Sequence, residues 1–283
     1  MQTFAECIPC FERQIKKLSA MVSGQDLELH NRIQASCLEL LHSTDIHHPP
    51  PELAARIYAQ ASMISGENDF FAQHKQAANA QVLSLLPELQ ERVQASPDPL
   101  LTALRFSLIA NYIDVGVDND FDWEAALIQE KAQEEMQGYT KLRRMLDTGR
   151  RVMILGDNAG EIGMDLLLVR QLQSLGSEVT YAVRGGPILN DATMEDARFV
   201  GMHRLCRVIS SGVDSPGTIL SRCDPGFLEE LQSAPIVISK GQGNFESLHG
   251  RLPDIFFALK VKCPVVARLT GFPVRTSILG QME

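Results

Sequence analysis

The chain has 283 residues, 45% of them hydrophobic, which is enough apolar surface for one large domain or two modest ones. With 26 basic against 35 acidic residues its formal charge is −9. No basic cluster is longer than Lys16-Lys17 or Arg143-Arg144, so nucleic acid and anionic membranes are poor partners. No run reaches the roughly 18 apolar residues of a spanning helix, and the first residues lack a basic segment followed by an apolar one, so a cytoplasmic protein is expected.

In chain order, residues 1–145 read as an all-helical region. Apolar residues recur at three- and four-residue steps, as in Ile33, Cys37, Leu40, Leu41 and in Leu101, Leu104, Leu108. Pro49-Pro50-Pro51 and Ser96-Pro97-Asp98-Pro99 break the pattern and separate helices. Near the start, Cys7 and Cys10 form a C-x-x-C. The pair fits half of a second metal site, a redox couple, or two thiols on the first turn of a helix; Cys37, Cys206, Cys223 and Cys263 are scattered and make no disulfide framework. His42, His47 and His48, beside the proline run, read as loop residues. Asn111 and Asp114, three apart after the apolar helix 101–110, either end that helix or face a ligand site.

From 146 to 283 the grammar changes. Val152–Leu155, Val179–Val183, Arg207–Ile209, Ile236–Ile238 and Ile255–Val261 look like buried strands, although the last fits a helix equally well. Alternation with helical stretches predicts a Rossmann-like, mostly parallel α/β sheet with helices on both faces. After the first strand comes Gly156-Asp157-Asn158-Ala159-Gly160-Glu161, opening into the helical stretch Ile162–Leu175. Such a turn in a parallel sheet binds phosphate through backbone N–H groups at a helix N-terminus. A carboxylate there repels phosphate unless a cation lies between them, so Asp157 and the Asn158 amide oxygen are expected to hold a divalent metal such as Mg²⁺ or Mn²⁺.

Ligands bind at the carboxyl ends of such strands, and four loops there carry chemistry. The first holds Asp157, Asn158 and Glu161; the second, Arg184 through Asn190-Asp191; the third, Ser210 to Gly217; the fourth, Ser239-Lys240-Gly241-Gln242-Gly243-Asn244. Singly, each fits a helix cap or a plain turn. Together, Asp157, Asn158 and Asp191 with Arg184 and Lys240 supply what metal-assisted phosphoryl chemistry needs, a cation for the oxygens and basic side chains for the remaining charge.

The first, second and fourth of these loops, with Cys7-Ile-Pro-Cys10, Asp69-Phe70-Phe71 followed by Lys75 and Asn79, Asn111-Tyr112-Ile113-Asp114 and Phe256 through Arg268, resemble the DUF89 family, also called the damage-control phosphatase ARMT1-like family. The resemblance covers nearly the whole chain, and the Cys pair points to its prokaryotic subgroup. It implies a helical N-terminal region on a Rossmann-like domain and metal-dependent hydrolysis of phosphate monoesters such as sugar phosphates, phosphopantetheine compounds or damaged metabolites. It further implies Asp157, Asn158 and Asp191 as ligands of Mg²⁺, Mn²⁺, Co²⁺ or Ni²⁺, with Lys240 as catalytic phosphate contact beside Asp157. Asn111, Asp114, Glu161, Arg184, Asn190 and Asn244 would surround a small phosphorylated metabolite.

Two other function classes compete. A nucleotide-cofactor enzyme such as an S-adenosylmethionine-dependent methyltransferase uses the same sheet, but the first turn lacks G-x-G-x-x-G and Arg184 stands where an acid would hold the ribose. A non-catalytic metabolite-binding protein would show no turnover at all.

Overall fold

The run Val152–Leu155 is buried at every position, which requires a strand with cover on both faces. In the computed structural model, which describes residues 1–109, 134–147 and 150–282, it is the central strand β2 of a seven-stranded sheet. The strands are β1 (Glu134–Glu135), β2 (Val152–Leu155), β3 (Val179–Val183), β4 (Arg207–Ser210), β5 (Ile236–Lys240), β6 (Ile255–Lys260) and β7 (Ser277–Gln281), in the order β1-β7-β6-β5-β2-β3-β4. Every neighbouring pair is parallel except β6 with β7.

Alternation along the strands sorts the apolar side chains into two cores. Val152, Ile154, Tyr181, Ile238 and Phe256 enter one, Met153, Leu155, Val237 and Phe257 the other. This alternation settles the ambiguous segment 255–261: as a strand it sends Phe256 and Phe257 to opposite faces, and both are fully buried. The short pair β1 and β7 was not anticipated from the sequence.

Among the described residues five α-helices precede the sheet: α1 (Ile8–Ser23), α2 (Leu27–Ser43), α3 (Pro50–Ser65), α4 (Ala72–Gln94) and α5 (Pro99–Ile109). Prolines open α3 and α5, where a missing N–H costs nothing. The first three close a third core around Phe11, Ile15, Ile33, Leu41, Leu53 and Ile57. Helices α4 and α5 instead join the sheet core through Leu86, Leu104 and Leu108, next to α6 (Tyr139–Leu146) and α7 (Glu161–Ser174). The stretch 1–145 is thus divided between two cores. His42 lies in the last turn of α2 rather than in a loop, facing Glu12, while His47 and His48 lie in the turn that follows. None of the described helices is long and apolar enough to cross a membrane.

Helices α4 and α7 approach closely because Gly163 has no side chain: a Cβ there would lie 2.7 Å from Val82 Cγ1. Val82 is β-branched and wholly buried, so it has little room to yield. Gly163→Val is expected to destabilise the protein by about 1–3 kcal/mol through overpacking, read as a lower urea midpoint, and Val82→Ala in the same chain is expected to restore part of the loss.

Candidate active site

The strand order reverses between β2 and β5, because β3 and β4 lie outward on one side and β6 and β7 on the other. That reversal opens a crevice at the carboxyl ends of β2 and β5. Asp157 follows β2 and Gly241 follows β5, so the first and fourth sequence motifs face each other there. Gly241 adopts φ +80°, and a Cβ on it would come 2.0 Å from Asp157 Oδ2, so the turn after β5 is a floor that only glycine can form under this carboxylate.

The loop after β3 supplies the second carboxylate. Asn158 and Asp191 pair as an isolated antiparallel bridge, Ala159 N donates to Asn190 O at 2.8 Å, and Ala192 N donates to Asp157 O at 2.8 Å. These backbone bonds bring Asp157 and Asp191 to one place although they belong to different strands. Both are buried. Burial and the neighbouring Asp191 push the Asp157 carboxyl up to about 6; burial also raises Asp191, against the pull of Arg184.

Arg184 lies under both. Its Nε donates to Asp191 Oδ2 at 2.6 Å, its Nη2 stands 3.7 Å from Asp157 Oδ1, and Nη1 donates to Asn244 Oδ1 at 2.9 Å. Nη2 is buried and makes no hydrogen bond among the described residues, so this donor has only the ion pair with Asp157. Asn244 has no such freedom: its oxygen accepts from Arg184 and Thr218, and its amide donates to Gly156 O and Lys240 O. It knits the loops together.

Lys240, the cation expected to meet phosphate, is completely buried, and its Nζ donates to Glu161, to Asp165 at 3.0 Å and to Ser107 O at 3.4 Å. An ammonium has three N–H groups, and all three are used inside the protein. Burial opposes the charge on Lys240, but Asp165 and Glu161 outweigh it and hold the pKa above the ordinary lysine value. The surplus negative charge of the triad shows at Glu161, where burial, helped by Asp157 and Asp165, pushes the carboxyl up to about 7 against the pull of Lys240. Asp165 also accepts from Tyr181 Oη at 2.6 Å and from Ser107 Oγ.

Asn158 Nδ2 donates to Asp157 Oδ2 at 2.9 Å and lies 3.4 Å from Glu161 Oε2, while Asn190 is exposed and contributes its backbone carbonyl. Cys7 is half-buried at the N-cap of α1, Cys10 is exposed, and both are free thiols; burial pushes the Cys7 thiol up. Among the described residues no group of three or more His, Cys, Asp or Glu side chains is placed to hold a metal ion. The donor set at the crevice is two carboxylates and an amide. Asn111 and Asp114 lie outside the described residues.

Three participants were not singled out from the sequence. Asp165 had a signal, an acid one turn beyond Glu161 in an otherwise apolar helix. Lys262 is exposed just past β6, close enough for its charge to draw down Asp157, Asp191 and the half-buried Glu246. Tyr181, on β3, reads as core and is core, with its hydroxyl spent on Asp165.

A mostly parallel α/β sheet with paired acids at its switch point and a helical layer over them defines a class of sheet enzyme, and the sequence comparisons narrow it. A family profile described as the damage-control phosphatase ARMT1-like domain matches residues 3–278. The chain belongs to this family. It is 34% identical over 237 residues to a damage-control phosphatase of Archaeoglobus fulgidus, covering 82% of each chain. A damage-control phosphatase of Pyrococcus horikoshii is 28% identical over 287 residues, 96% of each chain, and an uncharacterised protein of Methanocaldococcus jannaschii is 29% identical, with 97% of this chain and 93% of that one covered. The crystal structure of a DUF89 family protein from Pyrococcus horikoshii superposes with a TM-score of 0.90 over the whole of both chains at 26% identity.

Asn79 of α4 links the two acid-bearing loops. Its Oδ1 accepts from Gly160 N at 2.7 Å and its Nδ2 donates to Asp196 Oδ1 at 2.8 Å, while Asp196 caps Thr193 at the start of α8 (Met194–Phe199). Asn79→Ala leaves buried groups unpaired and is expected to cost about 2–3 kcal/mol of stability. Hydrogen exchange should then quicken at residues 157–161 and 192–196 while the β5 amides stay protected.

Asp157 has a folded pKa of about 6 against an ordinary value of 3.8, so the folded state binds its proton more tightly. Its contribution to stability is complete below about pH 4 and is lost as pH rises through 6, on the order of 2–3 kcal/mol. In the presence of chelator, the urea midpoint is therefore expected to fall between pH 4.5 and 7 more steeply in the native sequence than in Asp157→Asn. Parallel slopes would count against the assigned environment.

Proposed function

We propose that the protein is a divalent-metal-dependent phosphatase acting on small phosphate monoesters, in the class of damaged metabolites for which its relatives are named. The observation that carries this reading is the meeting of Asp157 and Asp191, two buried carboxylates from different strands, at the switch point where such sheets bind ligands.

The residues fit a metal. Asp157 and Asp191 are held together against their own repulsion, and the single guanidinium below them leaves negative charge over, which suits a small oxygen-loving cation. Asn158 joins them by a half-turn of its terminal amide, which brings Oδ1 to the place now held by Nδ2. Bound there, Mg²⁺, Mn²⁺, Co²⁺ or Ni²⁺ would supply a Lewis acid and a water of lowered pKa.

The other roles follow from charge and access. Arg184 Nη2, beside Asp157, and the exposed Lys262 would meet phosphate oxygens. Lys240 stands behind Glu161 and keeps that carboxylate in place rather than reaching outward. Asn111 and Asp114, which follow α5 in the sequence and lie outside the described residues, are proposed as further substrate contacts. Two features speak against a methyltransferase-type reading: the first turn lacks G-x-G-x-x-G, and Arg184, bonded to Asp191, stands where an acid would hold the ribose.

The deciding experiment is a phosphate-release screen over phosphorylated metabolites with each of the four metals and a chelator control. Asp157→Asn is expected to retain the native circular dichroism and lose at least about 10²-fold in kcat/KM, the scale of removing a principal electrostatic contact. Full turnover in excess chelator would sink the metal assignment. Lys262→Ala is expected to raise KM more than it lowers kcat, by about tenfold in kcat/KM, and an unchanged KM would remove Lys262 from the phosphate site.

A further inference from the structure

A cleft of about 610 Å³ opens beside this crevice, between α3 and the loop that runs from Arg184 to Asp191. One wall is formed by Tyr58 and Ala59 of α3 with Phe71 beyond the helix end; the other is Gly186 to Leu189. That second wall is continuous with the candidate site, since Asp191 N donates to Ile188 O at 3.0 Å. Tyr58 spans the junction. Its ring packs on Phe70 and Phe71 at 6.3 and 6.4 Å, and its hydroxyl lies close enough to Asp191 for that carboxylate to add to the effect of burial in raising the phenol pKa. Among the described residues the hydroxyl has no hydrogen-bond partner, and it is not one of the sealed polar atoms, so it is open to the cleft that Tyr58 lines.

The lining also shows what the cleft lacks. None of the described residues that line it is basic. Its two carboxylates, Asp69 and Asp214, are already paired, with Lys75 at 2.7 Å and with Arg222. A second anionic group entering here would lose its hydration and meet no cation to replace it, whereas an aromatic or hydroxyl-bearing neutral group meets rings, backbone and the Tyr58 hydroxyl.

We propose that this cleft is the subsite for the organic part of the phosphate ester, that the Tyr58 hydroxyl donates to an oxygen of that part, and that the cleft selects monophosphates whose organic part is uncharged. The proposal rests on the phosphatase reading above and adds a selectivity that the reading does not contain.

Phenyl phosphate and 4-carboxyphenyl phosphate test it, because they differ by one remote anion, and inorganic phosphate as a competitive inhibitor occupies the anion site alone. In the metal-loaded native protein, kcat/KM is expected to be at least about tenfold higher for phenyl phosphate. Ala59 is exposed, so Ala59→Trp can fill the cleft without entering a core. It is expected to raise KM for phenyl phosphate about tenfold while the inhibition constant of inorganic phosphate stays within about twofold, the signature of lost binding to one part of the ligand. Tyr58→Phe should weaken hexose monophosphates more than phenyl phosphate, which has no hydroxyl to receive the bond. Phenylphosphonate, which cannot be hydrolysed, should bind less tightly to Ala59→Trp in titration calorimetry.

Equal kcat/KM for the two aryl esters, or an Ala59→Trp protein that turns over phenyl phosphate with native KM, overturns the subsite and leaves the phosphatase standing. Absence of phosphate release from every ester with every metal removes the phosphatase reading, and the subsite falls with it.

Discussion

The ammonium of Lys240, sealed between Glu161 and Asp165, is the constraint around which the rest is arranged. Three fully buried ionisable groups from β5 and α7, with the Ser107 carbonyl of α5 as third acceptor, form a charged knot sealed from the surface. Removing one member of such a knot leaves a buried charge without compensation, which is costlier than the knot itself is stabilising. The carboxyl end of β5, the helix that opens after the Asp157 turn and the covering helix are therefore bound to one another by charge as well as by apolar packing. Glu161 begins α7, so what fixes Glu161 also fixes the turn immediately before it, where Asp157 and Asn158 stand.

The helical layer is joined to the sheet half at two further points of different character. Asn79 bonds to the Asp157 turn and to the cap of α8 at the same time, so the relative position of the two acid-bearing loops is measured from α4. Ile188 and Leu189 reach the other way and pack into the core of α1, α2 and α3. Leu189 does so from a left-handed backbone conformation, φ +47°, that a branched side chain seldom adopts, which indicates how strongly the surroundings determine this loop.

Much of this was legible in the sequence, and the limits have physical causes. Strands β2, β3 and β5 showed as short apolar runs because a central parallel strand is apolar on both faces, while β4, half-buried at the edge, showed only through Val208 and Ile209. The five residues of β7 and the two of β1 at the sheet edge carry no such pattern, and both were missed. The Asp157 turn was readable because a carboxylate there conflicts with the usual use of the turn, and conflicts between residue type and position are local. The direction in which Lys240 points is not local. It depends on Asp165 and Ser107, far away in sequence, so a lysine at a strand end reads as a reaching cation when it is an enclosed one. Asn244 fails in the same way: an amide in a loaded loop reads as a ligand contact, and only the surrounding fold shows its capacity already taken by Arg184, Thr218 and two carbonyls.

The loop from Arg184 to Asp191 has a consequence for how this scaffold can change. It is one wall of the cleft and also the segment that delivers a carboxylate to the crevice, and it is pinned at its start, where a Cβ on Gly185 would lie 2.4 Å from the backbone of Gly212. An insertion or bulky exchange that reshapes this wall for a different organic group would shift Asp191 with it. The facing wall on α3 has no such burden, because Ala55, Ala59 and Ser62 project from a helix anchored by its own core. Divergence among relatives that share the acid pair should accordingly concentrate on one side of the cleft, with α3 varying freely in side-chain size while the opposite loop keeps its length.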